Sequence, residues 1–246
     1  MTSVKSVARG AGALYLMVAV TTGVAEWARG SVVVAGDAAA TADRIRASET
    51  LFRVGLFADL ASATLFLLTA MALYVLLRDV NRLAAAAMVA LVAVSVAIQA
   101  LNLTSGAAAL ALATGPGYAS ALGSGGSDAL MMLFINLQHD GFVVSQMFFA
   151  LWLLPLGYLV VKSGAFPRVL GYLLALACAG YLVDLAVYFL APGVEGAVLP
   201  FSAAAGAIGE LAFIGWLLVR GARVPALPSR DASASGARLA TPAALP

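Results

Sequence analysis

Between Arg82 and Asp128 lie 45 consecutive residues without one charged side chain. A water-soluble domain of this length could bury a core, but it would still need polar groups to cover that core. The whole chain repeats the problem: 63% of its 246 residues are hydrophobic and 11% are charged, against roughly 45–50% and 25% in soluble domains. A soluble globule, a disordered chain and a coiled coil are all excluded. The expected fold class is all-α, a polytopic bundle of six transmembrane helices whose first partner is the lipid bilayer.

The same arithmetic removes several function classes. A net charge of +2 without a basic stripe argues against nucleic acid as a partner. Cys178 is the only cysteine and His139 the only histidine. Zinc fingers, Cys–His dyads, multi-histidine metal centres and bis-histidine haem are therefore excluded. No phosphate-binding Gly-x-x-x-x-Gly-Lys-Ser/Thr loop or Gly-x-Gly-x-x-Gly fingerprint occurs.

Six apolar segments are long enough to span, near 9–28, 51–77, 83–112, 129–161, 169–190 and 200–220. Lys5 and Arg9 precede the first in the manner of a signal peptide, but no small-x-small cleavage site follows, so it is read as a span. Ten of the fourteen basic residues fall on one side of a six-span model: Lys5, Arg9, Arg78, Arg82, Lys162, Arg168, Arg220, Arg223, Arg230 and Arg238. The loops 113–127 and 191–199 carry none. The positive-inside rule then predicts a multi-pass protein of the inner (plasma) membrane with both termini cytoplasmic. Residues 1–220 form the membrane domain, and the Pro-, Ala- and Ser-rich stretch 221–246 is expected to be a disordered cytoplasmic tail.

Asp37 is a candidate N-cap for a short extracytoplasmic helix of Ala-rich sequence between spans one and two. That helix reads either as a solvated interfacial element or as a lid over a pocket. Glu49 and Arg53 stand four apart in the order that favours a helical pair. The stretch 113–127, rich in Gly and Ser, is expected to be a flexible loop, and Pro155 to kink the long fourth span.

Polar residues at bilayer depth cost free energy, so each needs a partner or a purpose. The candidates lining a polar pocket are Arg53 and Asp59, Asn102, His139 and Asp140, Asp184 and Glu210, with Glu26 and Glu49 at its mouth. Helical rise puts Asp59 about 12 Å from the outer end of its span, and Asn102, His139, Asp140 and Glu210 about 15 Å, with Asp184 near 9 Å. These depths predict a pocket in the outer half of the bundle. On span four, Asn136, His139, Asp140 and Gln146 predict one broad polar side facing the interior.

Three readings stay open. The pocket binds or transports a small ligand from the outer side, with its acids engaging a cation or relaying protons. Alternatively, His139 and the carboxylates form an intramembrane enzyme, for which an oxygen-ligated metal would be the natural choice. Or the polar groups only pair with one another, with Arg53 offsetting one or two acids, in a structural or regulatory component. Ser145 is six residues from His139 on another face, so a serine triad is rejected.

The order of the polar residues resembles one family. The carrying stretches are Gly36-Asp37-Ala-Ala-Ala-Thr-Ala, Ser48-Glu49-x-x-Phe52-Arg53-x-Gly55 leading to Asp59-Leu60, and Leu73-Tyr74-x-Leu76-Leu77-Arg78-x-Val80-Asn81. They continue with Gln99-x-x-Asn102-Leu103, Gly157-Tyr158-Leu159, Ser163-Gly164-x-Phe166-Pro167-Arg168-x-Leu170-Gly171, Gly180-Tyr181-Leu182-x-Asp184, and Gly209-Glu210 before Trp216-Leu217-Leu218. Over roughly residues 5–220 the chain resembles the bacterial integral membrane proteins grouped as domain-of-unknown-function family 4386. The resemblance implies a six-helix membrane protein and supplies no activity, substrate or cofactor. Gln138-His139-Asp140-Gly141-Phe142 departs from the Leu-His-x-x-Gly-Phe pattern of that family, which leaves Asp140 outside the resemblance.

Overall fold

Six helices long and apolar enough to cross a membrane are present in the computed structural model, which describes residues 4–222. The spans are α1 (Val4–Val32), α3 (Glu49–Leu77), α4 (Arg82–Thr114), the broken pair α6 (Ser124–Leu151) and α7 (Leu153–Ser163), α8 (Arg168–Leu190) and α9 (Glu195–Val219). Two short helices, α2 (Ala38–Ala47) and α5 (Pro116–Leu122), lie between spans. The chain is therefore a multi-pass helical membrane protein. Of the tail expected from 221, all but Gly221 and Ala222 lies outside the described residues.

Capping chemistry explains most of the boundaries. Gly36 takes a positive φ of 76°, open to glycine at no steric cost, and turns the chain out of α1. Asp37 then accepts from the Ala40 N–H at 2.9 Å and starts α2. Asn81 caps α4 in the same way, through the Ala84 N–H at 3.0 Å. The fourth span breaks at Trp152, because Pro155 has no N–H to offer the Leu151 carbonyl one turn back. Trp152 fills that break, packing edge-on against Phe66 and Tyr15 with ring centroids 4.9 and 5.6 Å away.

Two expectations need correction. The stretch 113–127 is not a plain loop: Pro116 opens α5, Gly123 (φ 72°) closes it, and α6 starts at once. Helix α9 begins at Glu195, a few residues before the expected span near 200–220, so Pro200 stands inside the helix.

The spans close into a ring. Helix α1 packs on α3, α3 on α4, α4 on α6, α7 on α8, α8 on α9, and α9 returns to α1. Close approach relies on glycine. A Cβ on Gly157 would stand 2.7 Å from the Gly171 carbonyl oxygen, and one on Gly171 would stand 2.6 Å from that of Gly157. The backbones of α7 and α8 thus touch directly, the usual way that van der Waals packing holds helices in lipid.

Apolar packing is concentrated at two levels. At the end of the bundle that holds both chain ends, Leu73, Leu77, Met88, Leu156, Phe213 and Leu217 are in one fully buried cluster. At the far end, Val32, Ile45, Phe52, Leu112, Met131 and Ile135 form another. Helix α2 belongs to the far cluster: it buries Thr41, Ala42 and Ile45, so it is docked on the bundle rather than solvated. Arg46 secures it, donating to the Ala113 carbonyl at 2.8 Å and to buried Asp128 at 2.7 Å. A polar layer lies between the two clusters.

Alanine at Gly157 or Gly171 has to push two backbones apart, which should cost about 1–3 kcal/mol. Alanine at Gly30, which faces open space, should leave the melting temperature of the detergent-solubilised protein unchanged. Thermal unfolding of the three variants measures the difference.

Candidate functional site

The polar layer begins one residue spacing from sequence expectation. Helix α1 runs to Val32 rather than ending near 28, so Arg29 belongs to the helix and turns inward. Its guanidinium donates to both carboxylate oxygens of Asp59 at 3.3 Å and to Glu26 at 3.1 Å. Arg53, expected to be the cation among the acids, is 61% exposed and pairs instead with Glu49 at 2.6 Å. The reason is helical phase. Residues 53 and 59 are six apart and lie on different faces of α3, whereas 49 and 53 lie one above the other. Glu26 sits at the rim of the Arg29 group, and Glu49 sits elsewhere on the surface.

Below Arg29 and Asp59 the layer is made of amides. Gln99, Asn102 and Gln138 close on them around a void of about 20 Å³, room for one water. The Asn102 amide donates to the backbone carbonyl of Gln138. It reaches that carbonyl because residue 141 is glycine: a Cβ there would overlap the Asn102 side chain. Gln99 donates to Ser95 at 2.9 Å, and Ser95 donates to the Ser145 carbonyl.

At mid-depth the ring encloses a cavity of about 320 Å³, at the small end of the range for ligand sites. All six spans contribute to it. Tyr15, Val18, Ala19 and Thr22 of α1, Phe142, Ser145, Gln146 and Phe149 of α6, and Ala207, Glu210, Leu211 and Ile214 of α9 each follow i, i+3, i+4, i+7 spacing. Ser62 and Phe66 come from α3, Gln99 from α4 and Tyr181 from α8. The wall is mostly apolar with a few polar groups.

Glu210 is the acid of that wall, and it is buried. Tyr15 donates to one of its carboxylate oxygens, and Tyr181 donates to the other at 2.7 Å. Tyr181 crosses α9 to get there, and only glycine at 206 leaves it room, since a Cβ would overlap the phenol. The other two inward-held acids have arginine partners, Asp59 with Arg29 and Asp128 with Arg46. Among the described residues Glu210 has none: no Lys, Arg or His nitrogen lies within 4.0 Å of it.

The structure therefore divides the expected pocket. Asp59 and Asn102 belong to the Arg29 layer, and Glu210 to the cavity beneath it. The cavity sits at mid-depth, not in the outer half: Glu210 is slightly past the midpoint of α9 toward the chain ends. His139 and Asp140 are exposed and do not line the cavity. Tyr188 of α8 donates to Asp140, and its ring lies 5.8 Å from that of His139. Asp184 is half-buried on α8, one turn before Tyr188. Of the expected polar side, Gln146 does line the cavity, beside Ser145, while Gln138 borders the Arg29 layer; His139 shares the phase of Gln146 but stands two turns nearer the far end, where it is exposed. Among the described residues no three His, Cys, Asp or Glu side chains gather as a metal site.

Sequence reasoning missed Arg29, Tyr15 and Tyr181. Arg29 was legible as the i+3 partner of Glu26, and each tyrosine as a hydroxyl that needs an acceptor when buried.

The chain aligns over 81 residues, at 35% identity, with an uncharacterized protein of Archaeoglobus fulgidus. That match covers 33% of this chain and 46% of the archaeal protein, so the chain spans about half the length of the relative. No solved structure matches. The profile of a domain of unknown function, DUF4386, matches residues 10–221, nearly the whole described bundle. The chain belongs to the DUF4386 family.

Proposed function

We propose that this protein binds a small ligand carrying an ammonium group in the mid-depth cavity, with Glu210 as the counter-ion. One observation carries the reading: Glu210 is a buried carboxylate with two tyrosine donors and no cation among the described residues. An unpaired ion at that depth is costly, and an acid there either stays neutral or is matched by a positive charge. A ligand cation supplies the match. Phe66, Phe142 and Phe149 provide apolar walls and cation-attracting ring faces for the rest of the ligand. No observation favours catalysis by His139, which lies outside the cavity.

The distribution of charge supports cytoplasmic termini in a plasma membrane. Three of the four arginines at the far end are already paired with acids: Arg29, Arg46 and Arg53. The seven described at the other end, Lys5, Arg9, Arg78, Arg82, Lys162, Arg168 and Arg220, with three more that follow in sequence, are the excess that the positive-inside rule counts. In a background with Cys178→Ala, Ser120→Cys should react with a membrane-impermeant maleimide in intact cells. Asp79→Cys should react only after permeabilisation. The reverse pattern overturns the orientation.

Hexylamine should raise the melting temperature of the purified protein. At a hundredfold excess over its dissociation constant the gain is about 2.7 kcal/mol, which for a chain of this size means roughly 5–10 °C. Glu210→Gln should abolish the shift while the variant still folds, and Gly206→Ala should weaken it by displacing Tyr181. An equal shift in Glu210→Gln rejects the proposal.

A further inference from the structure

The ends and sides of the cavity are closed very differently. Toward the chain ends it meets the larger apolar cluster, in which Leu73, Leu77, Leu156 and Leu217 are fully buried; a cleft of about 460 Å³ at that end, lined by Leu77 and Phe166, shares no lining residue with the cavity. Toward the far end lie the Arg29–Asp59 layer, with only water-sized voids of about 20 Å³, and then α2 held down by Arg46. Of the described voids toward either end, the one that shares lining residues with the cavity holds about 20 Å³, and the larger clefts share none.

The side is another matter. Of the residues that line the cavity, three are themselves exposed: Ala19 of α1, and Ala207 and Leu211 of α9. Leu211 is 54% exposed. These two helices touch near the chain ends, where a Cβ on Gly12 would stand 2.8 Å from that of Leu217. Farther along, the Tyr15–Glu210 hydrogen bond bridges them, and around it Ala19, Ala207 and Leu211 are exposed. Ala207 is at the midpoint of α9, and Ala19 is close to that of α1. About 18 Å of helix separates Ala207 from either end of α9, so the opening lies at the level of the acyl chains rather than of water.

We infer that the cavity is entered sideways from the bilayer between α1 and α9, and that its ligand is a lipophilic amine. The ammonium group sits against Glu210, and the hydrocarbon chain extends through the gap into lipid. This rests on the proposed role of Glu210 and adds the route and the ligand class. A cavity of about 320 Å³ takes the head of a single-chain amphiphile, while the chain keeps its apolar surroundings outside. The small side chains at Ala19 and Ala207 leave the gap wide, and Leu211 gives it an apolar sill.

The test uses the full chain in phosphatidylcholine vesicles with two photoactivatable probes. One is a dodecylamine with a diazirine on its chain, which partitions into the bilayer; the other is a butylamine diazirine, which stays in water. The dodecylamine probe should label α1 and α9 around Ala19 and Leu211. Labelling should drop at least tenfold in Glu210→Gln. It should drop as far in Ala207→Trp, which plugs the gap from one side, and in Ala19→Trp, which plugs it from the other and keeps the test decisive if one variant misfolds. Unchanged labelling in a folded plugged variant, or equal labelling by the butylamine probe, overturns lateral entry and leaves the Glu210 site standing. Labelling by neither probe overturns both. Adding phosphatidylethanolamine should not compete; if it does, the ligand is a lipid headgroup amine and the free amine is wrong.

Discussion

A carboxylate at bilayer depth has no water to turn to, and the way this chain answers that need organises the bundle. Asp59 is met by Arg29 across α1 and α3, and Asp128 by Arg46 across α2 and the start of α6. Each pair joins elements that the apolar surface alone would leave free to slide. Removing either arginine would leave a mostly buried carboxylate without its cation, whereas each arginine keeps a second, more exposed acid, Glu26 or Asp43. Glu210 breaks the pattern by taking two phenols instead of a guanidinium. That difference sets Glu210 apart from the acids that join helices.

The remaining cohesion is steric. Lipid tails are as apolar as leucine, so burying leucine against leucine gains little over leaving it in the membrane. Helices therefore approach where glycine removes the side chain, as at Gly157 and Gly171 between α7 and α8 and at Gly12 between α1 and α9. The same device positions the polar groups. Gly141 admits Asn102 to a helix carbonyl, and Gly206 admits Tyr181 to Glu210. Between α1 and α9, three residues of the cavity wall, Ala19, Ala207 and Leu211, are themselves exposed.

Much of the fold was readable in advance, because hydropathy in a membrane protein is close to a direct record of what spans. The six segments, the Asp37 cap and the disruptive effect of Pro155 all follow from local chemistry. The site was readable only in part. Asp59, Asn102 and Glu210 stood out as polar residues at depth, but depth says nothing about direction. Arg53 was misplaced because proximity in sequence was weighed above helical phase. His139 was misplaced because helical phase, which it shares with the cavity-lining Gln146, does not say which neighbours stand opposite it two turns away.

The 45 residues without charge, together with the overall shortage of charge, determined by themselves that this chain lives in a bilayer as a helical bundle. That conclusion needs only the free energy of transfer, which sums over residues wherever they end up. The pairing of Arg29 with Asp59, the isolation of Glu210 and the gap between α1 and α9 were decided by tertiary structure. Each depends on the rotation and tilt of whole helices, and those are set by contacts between residues far apart in the chain.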